Sequence, residues 1–393
     1  MEEWKTYKLG DVCKIYGRIG FRGYTIEDLV EDSEKGAISL SPTNIQGGVL
    51  DLSKPTYISW EKYYESPEIM IHENDIVIVK TGSSIGRTAI IRNITHPMTL
   101  NPQLVVLKDV SINKHFLGYL VKGKDFQGKL SSIVVGSAIP TLSQKNLANL
   151  TIAIPPTRVQ EKISNILSSL DSKIELNNRI NHNLEEQARN IFLSYIDCDS
   201  VECSFSDLIT VGSGGTPRTS ESRFWNGDIP FFSPKDVSNS CFTLFTEKLI
   251  TKDGLNNCNS SLYNENTTFI TARGTVGKIS LAGVSMAMNQ SCFALTSKDN
   301  TPYFAYFLTE RVVESLKKKA NGAVFDAINS KDILQELVRV PNRDVIFQIE
   351  DRIRPYMNSI RFKSIENLYL TDTRDTLLPK LMSGELKINN LIC

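Results

Sequence analysis

The chain is poor in the residues that metal or covalent chemistry needs. Its 393 residues include four histidines (His72, His96, His115, His182) and seven cysteines (Cys13, Cys198, Cys203, Cys241, Cys258, Cys292, Cys393). No two cysteines stand at CxxC spacing and no HExxH occurs, so no metal site is expected. Scattered thiols fit a reducing cytoplasm, which is the expected location. There is no GxSxG around a nucleophile and no glycine fingerprint of a dinucleotide fold, and no cofactor is expected. No run approaches the roughly 18 apolar residues of a membrane span, and MEEWKTYKLG at the start has no apolar signal core. Net charge is missing too: Lys+Arg and Asp+Glu are 44 each. Residues 1–157 carry 17 basic and 16 acidic side chains, and residues 204–342 carry 14 and 13. A generic polyanion binder is basic overall, so any nucleic-acid affinity must be local, as at Lys317-Lys318-Lys319.

What the chain does have is a repeat. GSAIPTLSQKNLANLTIAIPP (136–156) aligns without a gap on GAVFDAINSKDILQELVRVPN (322–342), with Gly136 on Gly322 and Pro155 on Pro341, an offset of 186. Upstream the offset drifts to 188 at Asn101 and Asn289, 191 at Gly86 and Gly277, and 196 at Asp11 and Asp207. Two diverged copies of about 190 residues make up the chain. Each has short β-branched or aromatic runs, such as IVIV (76–79), LVVL (104–107), TFITA (268–272) and CFAL (292–295), which predict strands. A helix follows near 114–130 and near 302–320, and then a long helix.

After Pro155-Pro156, Thr157 and Gln160 read as a capping box. Apolar residues then fall alternately four and three apart: Ile163, Leu167, Leu170, Ile174, Leu184, Ala188, Ile191 and Tyr195, with Asn177 and Asn181 in the two middle places. This is a coiled-coil seam, and buried asparagines in one fix register at a cost in stability. The second copy sets Ile349, Ile353, Tyr356, Ile360, Lys363, Asn367, Leu370, Arg374, Leu377 and Leu381 at the same places. Pro355 is expected to kink this helix, and Ser383-Gly384 to stop it. Two such helices in one chain can pair antiparallel, with the strand-rich units at opposite ends about a pseudo-twofold axis. Ordinary amphipathic core helices are the competing reading. DNA-binding dimers place two heads on two half-sites. Here the heads differ, so the expected target is two different half-sites with an unread gap.

At this point the chain resembles the specificity subunit of a type I restriction-modification enzyme. The likeness is carried by TLLPKLMSGEL (376–386), GSGGTPRTSESRFWNGDIPFFSPKDV (212–237), ITARGTVGKIS (270–280), VKTGSSIGRTA (79–89) and PPTRVQEKISNILSSLD (155–171). The first copy has KIYGRIGFRGYT (14–25) where the second has its GGTP opening. The resemblance implies an α+β fold: two pseudo-repeated target-recognition domains separated by two long antiparallel coiled-coil helices. The expected divisions are residues 1–157 and 204–342 for the recognition domains, 158–203 for the central helix and linker, and 343–393 for the distal helix and tail. It also implies a non-catalytic subunit that binds double-stranded DNA and holds two adenine methyltransferase subunits on its helices. Motor-nuclease subunits would join to restrict, and no membrane is involved. A methyltransferase reading of the chain itself fails at Asn101-Pro102-Gln103-Leu104, which lacks the second proline and the aromatic residue of the amino-methyltransferase motif. The alternatives are the specificity subunit of a fused restriction-methylation system, and a non-enzymatic scaffold or regulator.

The candidate DNA contacts follow. Neither VKTGSSIGRTA nor ITARGTVGKIS is a nucleotide P-loop, because GxxxxGK[ST] is not met in either. Each reads as a tight hairpin offering Lys80, Ser83, Ser84 and Arg87, or Arg273, Thr275 and Lys278. Hydroxyls and lysines suit phosphate, and arginine can read guanine. A merely structural hairpin competes with this. Thr216, Arg218, Ser220, Arg223 and Lys235 in the second copy, and Thr43, Asn44 and Gln46 in the first, lie in polar loops that are reading loops or solvated turns. Lys317 and Lys318 end a helix, where lysines suit the helix dipole with or without a phosphate.

Overall fold

The structure, a computed structural model, describes residues 4–18, 23–46, 48–134, 140–238, 240–319 and 327–386. Gly136 and Gly322 of the repeat, and residues 19–22 of the first copy's opening, lie outside the described residues. The chain forms two compact units: residues 1–172 with 371–393, and residues 173–370.

Strand pairing repeats the sequence offsets. In unit 1, Lys5–Lys8 runs antiparallel to Thr151–Ile154 with Lys5 opposite Ile154. In unit 2, Val201–Ser204 runs antiparallel to Leu337–Val340 with Val201 opposite Val340. The second pair lies 196 residues on in one strand and 186 in the other, the two values at the ends of the sequence alignment.

The main sheet of unit 1 has the order Lys14–Tyr16, Leu104–Lys108, Ile76–Val79, Thr88–Ile90. That of unit 2 has the order Ile209–Ser213, Cys292–Ser297, Thr268–Thr271, Ile279–Ala282, Phe242–Thr243. A second small sheet in each unit contains a parallel pair, Gly36–Leu40 with Met98–Leu100 and Trp225–Phe232 with Ala287–Met288. The central strands are apolar runs rather than alternating ones because both faces are covered. Ile76 and Ile78 pack toward the domain helix, while Val77 and Val79 pack in the core of the small sheet. Ile270 and Phe269 divide the same way in unit 2.

The domain helix of unit 2 is continuous, Pro302–Lys319. In unit 1 Gly123 divides it into Lys114–Lys122 and Lys124–Ser132, a break the expected single helix did not include. The long helices are Thr157–Ile196 and Arg343–Met382, 40 residues each. Within unit 2 their segments run antiparallel: Asn177 donates to Asn367 (2.9 Å) and Glu366 (2.8 Å), and Asn181 to Ser364 (3.2 Å). Within unit 1 the same direction sets Asp171 against Arg374 (2.9 Å).

The capping-box expectation changes at both of its residues. Thr157 is the first helical residue, not the cap, because the first helical amide bonds go to the Pro156 carbonyl. Gln160 is buried and reaches elsewhere, donating to the Pro155 carbonyl (2.8 Å) and accepting from the Asn113 amide (3.0 Å). Pro355 does not break its helix. It is exposed, as is Asp351 one turn back, whose carbonyl the proline leaves without its usual helical donor. The helix stops at Met382, where Gly384 adopts φ +73° and the Leu386 amide bonds the Lys380 carbonyl (3.1 Å).

The seam carries only part of the burial. Ile163, Leu167, Ile349, Ile353 and Ile360 are buried, and Leu170, Ile174, Asn181, Leu184, Asn367, Leu370 and Leu377 are partly covered. Phe192, Ile196, Ile346 and Met357 are also buried, off the seam, against the unit 2 domain. These helices therefore bury two faces in places: one against each other and one against a domain.

Candidate nucleic-acid interface

The two glycine hairpins share one backbone plan. In unit 1 the Gly86 amide bonds the Val79 carbonyl (2.9 Å), and the Val79 amide bonds the Arg87 carbonyl (2.9 Å). In unit 2 Gly277 bonds Thr271 (2.8 Å), and Thr271 bonds the Lys278 carbonyl (2.9 Å). Val79 thus matches Thr271, and Arg87 matches Lys278. The first loop is one residue longer. Gly82, Gly86, Gly274 and Gly277 all have positive φ, from 73° to 101°, where a side chain would strain the backbone. Each hairpin is also stapled to a distant segment by one bridge, Thr81 to Thr141 and Arg273 to Ala327.

Ser83, Arg87, Arg273, Thr275 and Lys278 are exposed on these loops, and Ser84 is half-buried. Lys80 is partly buried, and that burial lowers its pKa. The carbonyl of each hairpin glycine is held from the domain helix. Gln127 donates to Gly86 (3.0 Å), and Lys317 donates to Gly277 (3.3 Å). Lys317 therefore has a structural use of its own.

The polar turns also match. SPTN (41–44) and SPKD (233–236) are the same short 3-10 turn. Asn44 Oδ1 accepts from the Ser41 amide and hydroxyl (both 2.9 Å), as Asp236 Oδ2 does from Ser233 (2.8 and 2.7 Å). Asn44 is buried, and its Nδ2 donates to the Asp51 carbonyl (3.0 Å). It builds the turn and is not free to read a base, which corrects the expectation for it. Thr43 and Lys235, at the matched position, are exposed. Gln46 is exposed and its amide donates to the Thr43 carbonyl (3.2 Å).

In the unit 2 opening loop, Thr216 bonds Gln290, and Trp225 Nε1 donates to the Arg218 carbonyl (3.2 Å). Arg223 lies over the Phe224 ring at 4.9 Å and near Glu221 at 3.5 Å. Arg218 and Ser220 are exposed.

Not all these residues meet. Gln46 and Arg87 line one cleft of about 700 Å³ in unit 1. Lys235 lines a cleft of about 880 Å³ in unit 2, beside Asn178 and Asn181, whereas Lys318 lines another of about 820 Å³, beside Arg311 and Arg339. The unit 1 cleft adds Lys122, Gln127 and Arg374, which sequence reasoning did not propose as DNA contacts. No local pattern marks them, since they are brought in from the two sides of the Gly123 break and from a helix about 250 residues on. Among the described residues no helix is long and apolar enough to cross a membrane.

Two strand-rich domains built on one plan, each packed on a pair of long helices and each presenting different polar loops, define a class of two-headed recognition protein. The chain belongs to the type I restriction modification DNA specificity domain family, whose model matches residues 1–186 and again 199–367, once for each copy. Its role is DNA sequence specificity. It is similar to the type I restriction enzyme MjaIX specificity subunit of Methanocaldococcus jannaschii, at 24% identity over 99% of this chain and 95% of that one. It is also similar to the type I restriction enzyme HindI specificity subunit of Haemophilus influenzae, at 21% identity over 98% and 100%. In fold it is similar to the S subunit of a type I restriction-modification system from M. genitalium, with a TM-score of 0.58, 15% identity and 96% of each chain covered.

Proposed function

We propose that the chain is the non-catalytic, DNA-reading subunit of a type I restriction-modification complex in the cytoplasm. Residues 1–157 and 204–342 are its two target-recognition domains. Residues 158–203 and 343–393 are the helical regions on which two adenine methyltransferase subunits dock, with motor-nuclease subunits completing the assembly. One observation carries the reading: the same backbone loops recur with different exposed side chains. Thr43 stands where the second copy has Lys235, and Arg87 where it has Lys278. Common backbone with divergent surface is what two heads reading two different half-sites of a duplex require. Thr216, Arg218, Ser220, Arg223, Arg273 and Thr275 extend the second reading surface, and Ser83 and Ser84 the first.

The test is genome-wide adenine methylation in cells expressing this chain with the methyltransferase gene beside it, compared with cells lacking only this chain. A two-part methylated motif that vanishes with the chain is the expected result. Methylation that is the same with and without the chain would refute the proposal.

A further inference from the structure

Unit 1 gathers cations that it does not neutralise. Its cleft of about 700 Å³ is edged by the hairpin at Ile85–Thr88, the turn at Gln46 and Gly48, the domain helix at Tyr119 and Lys122, and the long helices at Asp171, Arg374 and Asp375. Both carboxylates are already engaged. Asp171 accepts from Tyr119 (2.6 Å) and Arg374 (2.9 Å), with Arg92 at 3.7 Å, and Asp375 accepts from Arg374 (2.8 Å).

Lys122 and Arg87 remain. The Lys122 ammonium donates to the Gly48 carbonyl (2.9 Å), which uses one of its three N–H groups. Burial, with Arg92 and Arg374 nearby, brings its pKa down to about 8, while Asp171 and Asp375 act the other way. Arg87 lines the cleft and is exposed, and both carboxylates of the lining, Asp171 and Asp375, are bonded to Arg374. The charge these cations lack is that of a small anion. The lining carries three cations, Arg87, Lys122 and Arg374, against two carboxylates, Asp171 and Asp375, which suits an anion rather than a neutral base.

We infer that this cleft takes one backbone phosphodiester of the bound duplex, with Lys122 as its cationic ligand. The inference rests on the DNA-reading function proposed above. It is confined to unit 1. Counting 188 residues along the domain helix, Glu310 stands where Lys122 does, and it is already paired with Arg189. An acid at that place repels phosphate.

The test measures binding of the full chain to duplexes of unrelated sequence, about three helical turns long, across a salt series. Lys122→Gln should weaken binding evenly on all duplexes and reduce the salt slope by about 0.9, the share of one neutralised phosphate. The variant should then lose roughly threefold less affinity between 50 and 200 mM salt than the parent. Lys122→Arg keeps the charge and should keep the slope, which separates loss of a contact from misfolding. A parental slope in Lys122→Gln overturns the inference. A loss confined to one duplex sequence also overturns it, in favour of a base contact. Inorganic phosphate that raises the unfolding temperature of the parent but not of Lys122→Gln, with no change in DNA slope, assigns the cleft to a free anion and overturns the duplex contact. If the parent binds no duplex at all, the DNA-reading function itself fails.

Discussion

Tyr119, Asp171 and Arg374 in unit 1 occupy the places that Phe307, Met357 and Ala188 occupy in unit 2, counting 188 residues along the domain helix and 186 along the long helices. The first trio is a hydrogen-bonded charge network. The second is buried in one apolar cluster. A further reversal lies beside it. Lys122 and Asp375 line the unit 1 cleft, whereas their counterparts Glu310 and Arg189 form an ion pair in unit 2. In each unit the domain of one copy meets the long helix of the other, since Arg374 serves unit 1 and Arg189 serves unit 2. Opposite charges at equivalent places mean that neither copy is complementary to itself. A self-paired first copy would set Lys122 against Arg189 and leave Asp171 opposite Ala188. Divergence at the junction therefore discriminates against the wrong pairing as well as stabilising the right one.

The comparison breaks most sharply if the chemistry is moved across. Met357 is fully buried, so Met357→Asp places a carboxylate among apolar side chains with no cation opposite. It should cost about 4 kcal/mol or more in denaturant unfolding. Asp171→Met leaves Tyr119 without its acceptor and Arg374 with Asp375 alone, and should cost about 2 kcal/mol, less because Arg374 keeps that partner and some contact with water. The triple variant Tyr119→Phe, Asp171→Met, Arg374→Ala copies unit 2 into unit 1 and should recover most of that loss. If the triple variant is no more stable than Asp171→Met alone, the two junctions are not interchangeable solutions.

A second contrast lies at the start of each domain helix. In unit 1 Asn113 caps the helix by accepting from the Phe116 amide (2.9 Å), and Ser164 donates to Asn113 (2.8 Å). In unit 2 the residue matching Ser164 is Glu350, which accepts from the Tyr303 and Phe304 amides (3.0 and 2.8 Å). Burial pushes the Glu350 pKa up to about 7, although those amides and Arg354 oppose the shift. Below its ordinary value of 4.5 the carboxyl is neutral whether folded or unfolded. Between 4.5 and about 7 the folded chain holds a proton that the unfolded chain has released, so stability falls as pH rises through that window. The loss is on the order of 3 kcal/mol, and Glu350→Gln should flatten it. Unfolding at pH 5 and pH 8 measures both. A variant that keeps the full pH dependence would place its origin elsewhere.

Much of this architecture was legible in the sequence. The offsets of 196 and 186 reappear as strand register, and the seam asparagines pair across the helices. Periodicity failed where one helix has two buried faces. A single 4-3 stripe identifies Ile349 and Ile353 but not Met357, whose partner is a domain rather than a helix. The candidate loops were legible as loops, because glycine and the SPTN and SPKD turns declare their geometry locally. Whether a side chain in them is free is not local. Asn44 and Arg87 are both polar loop residues, and only the fold buries the first and exposes the second. The Asp171–Arg374 contact joins residues about 200 apart, and no spacing rule reaches that far.

The smallest expected effect separates the two hairpins. They share their glycine backbone, yet Arg273 in the second stands where the first has Thr81, as the matched bridges to Ala327 and Thr141 show. The exposed arginine of the first loop, Arg87, lies instead at the position of Lys278. If the heads read different half-sites through these loops, Arg87→Ala and Arg273→Ala should act on different halves of the methylated motif. Each should relax discrimination at one base pair by about 1–3 kcal/mol if its guanidinium reads guanine, leaving the other half-site unchanged. Methylation sequencing of each variant reads both halves at once. Uniform weakening without relaxed sequence preference would make that arginine a phosphate contact, and relaxation of the same half-site by both variants would contradict one head per half-site. An arginine that reads a base has to be held, and the two differ in how: the Arg273 backbone is tied to Ala327, whereas Arg87 follows a glycine braced by Gln127. Gln127→Ala should therefore blur the first half-site by less than Arg87→Ala and leave the second untouched.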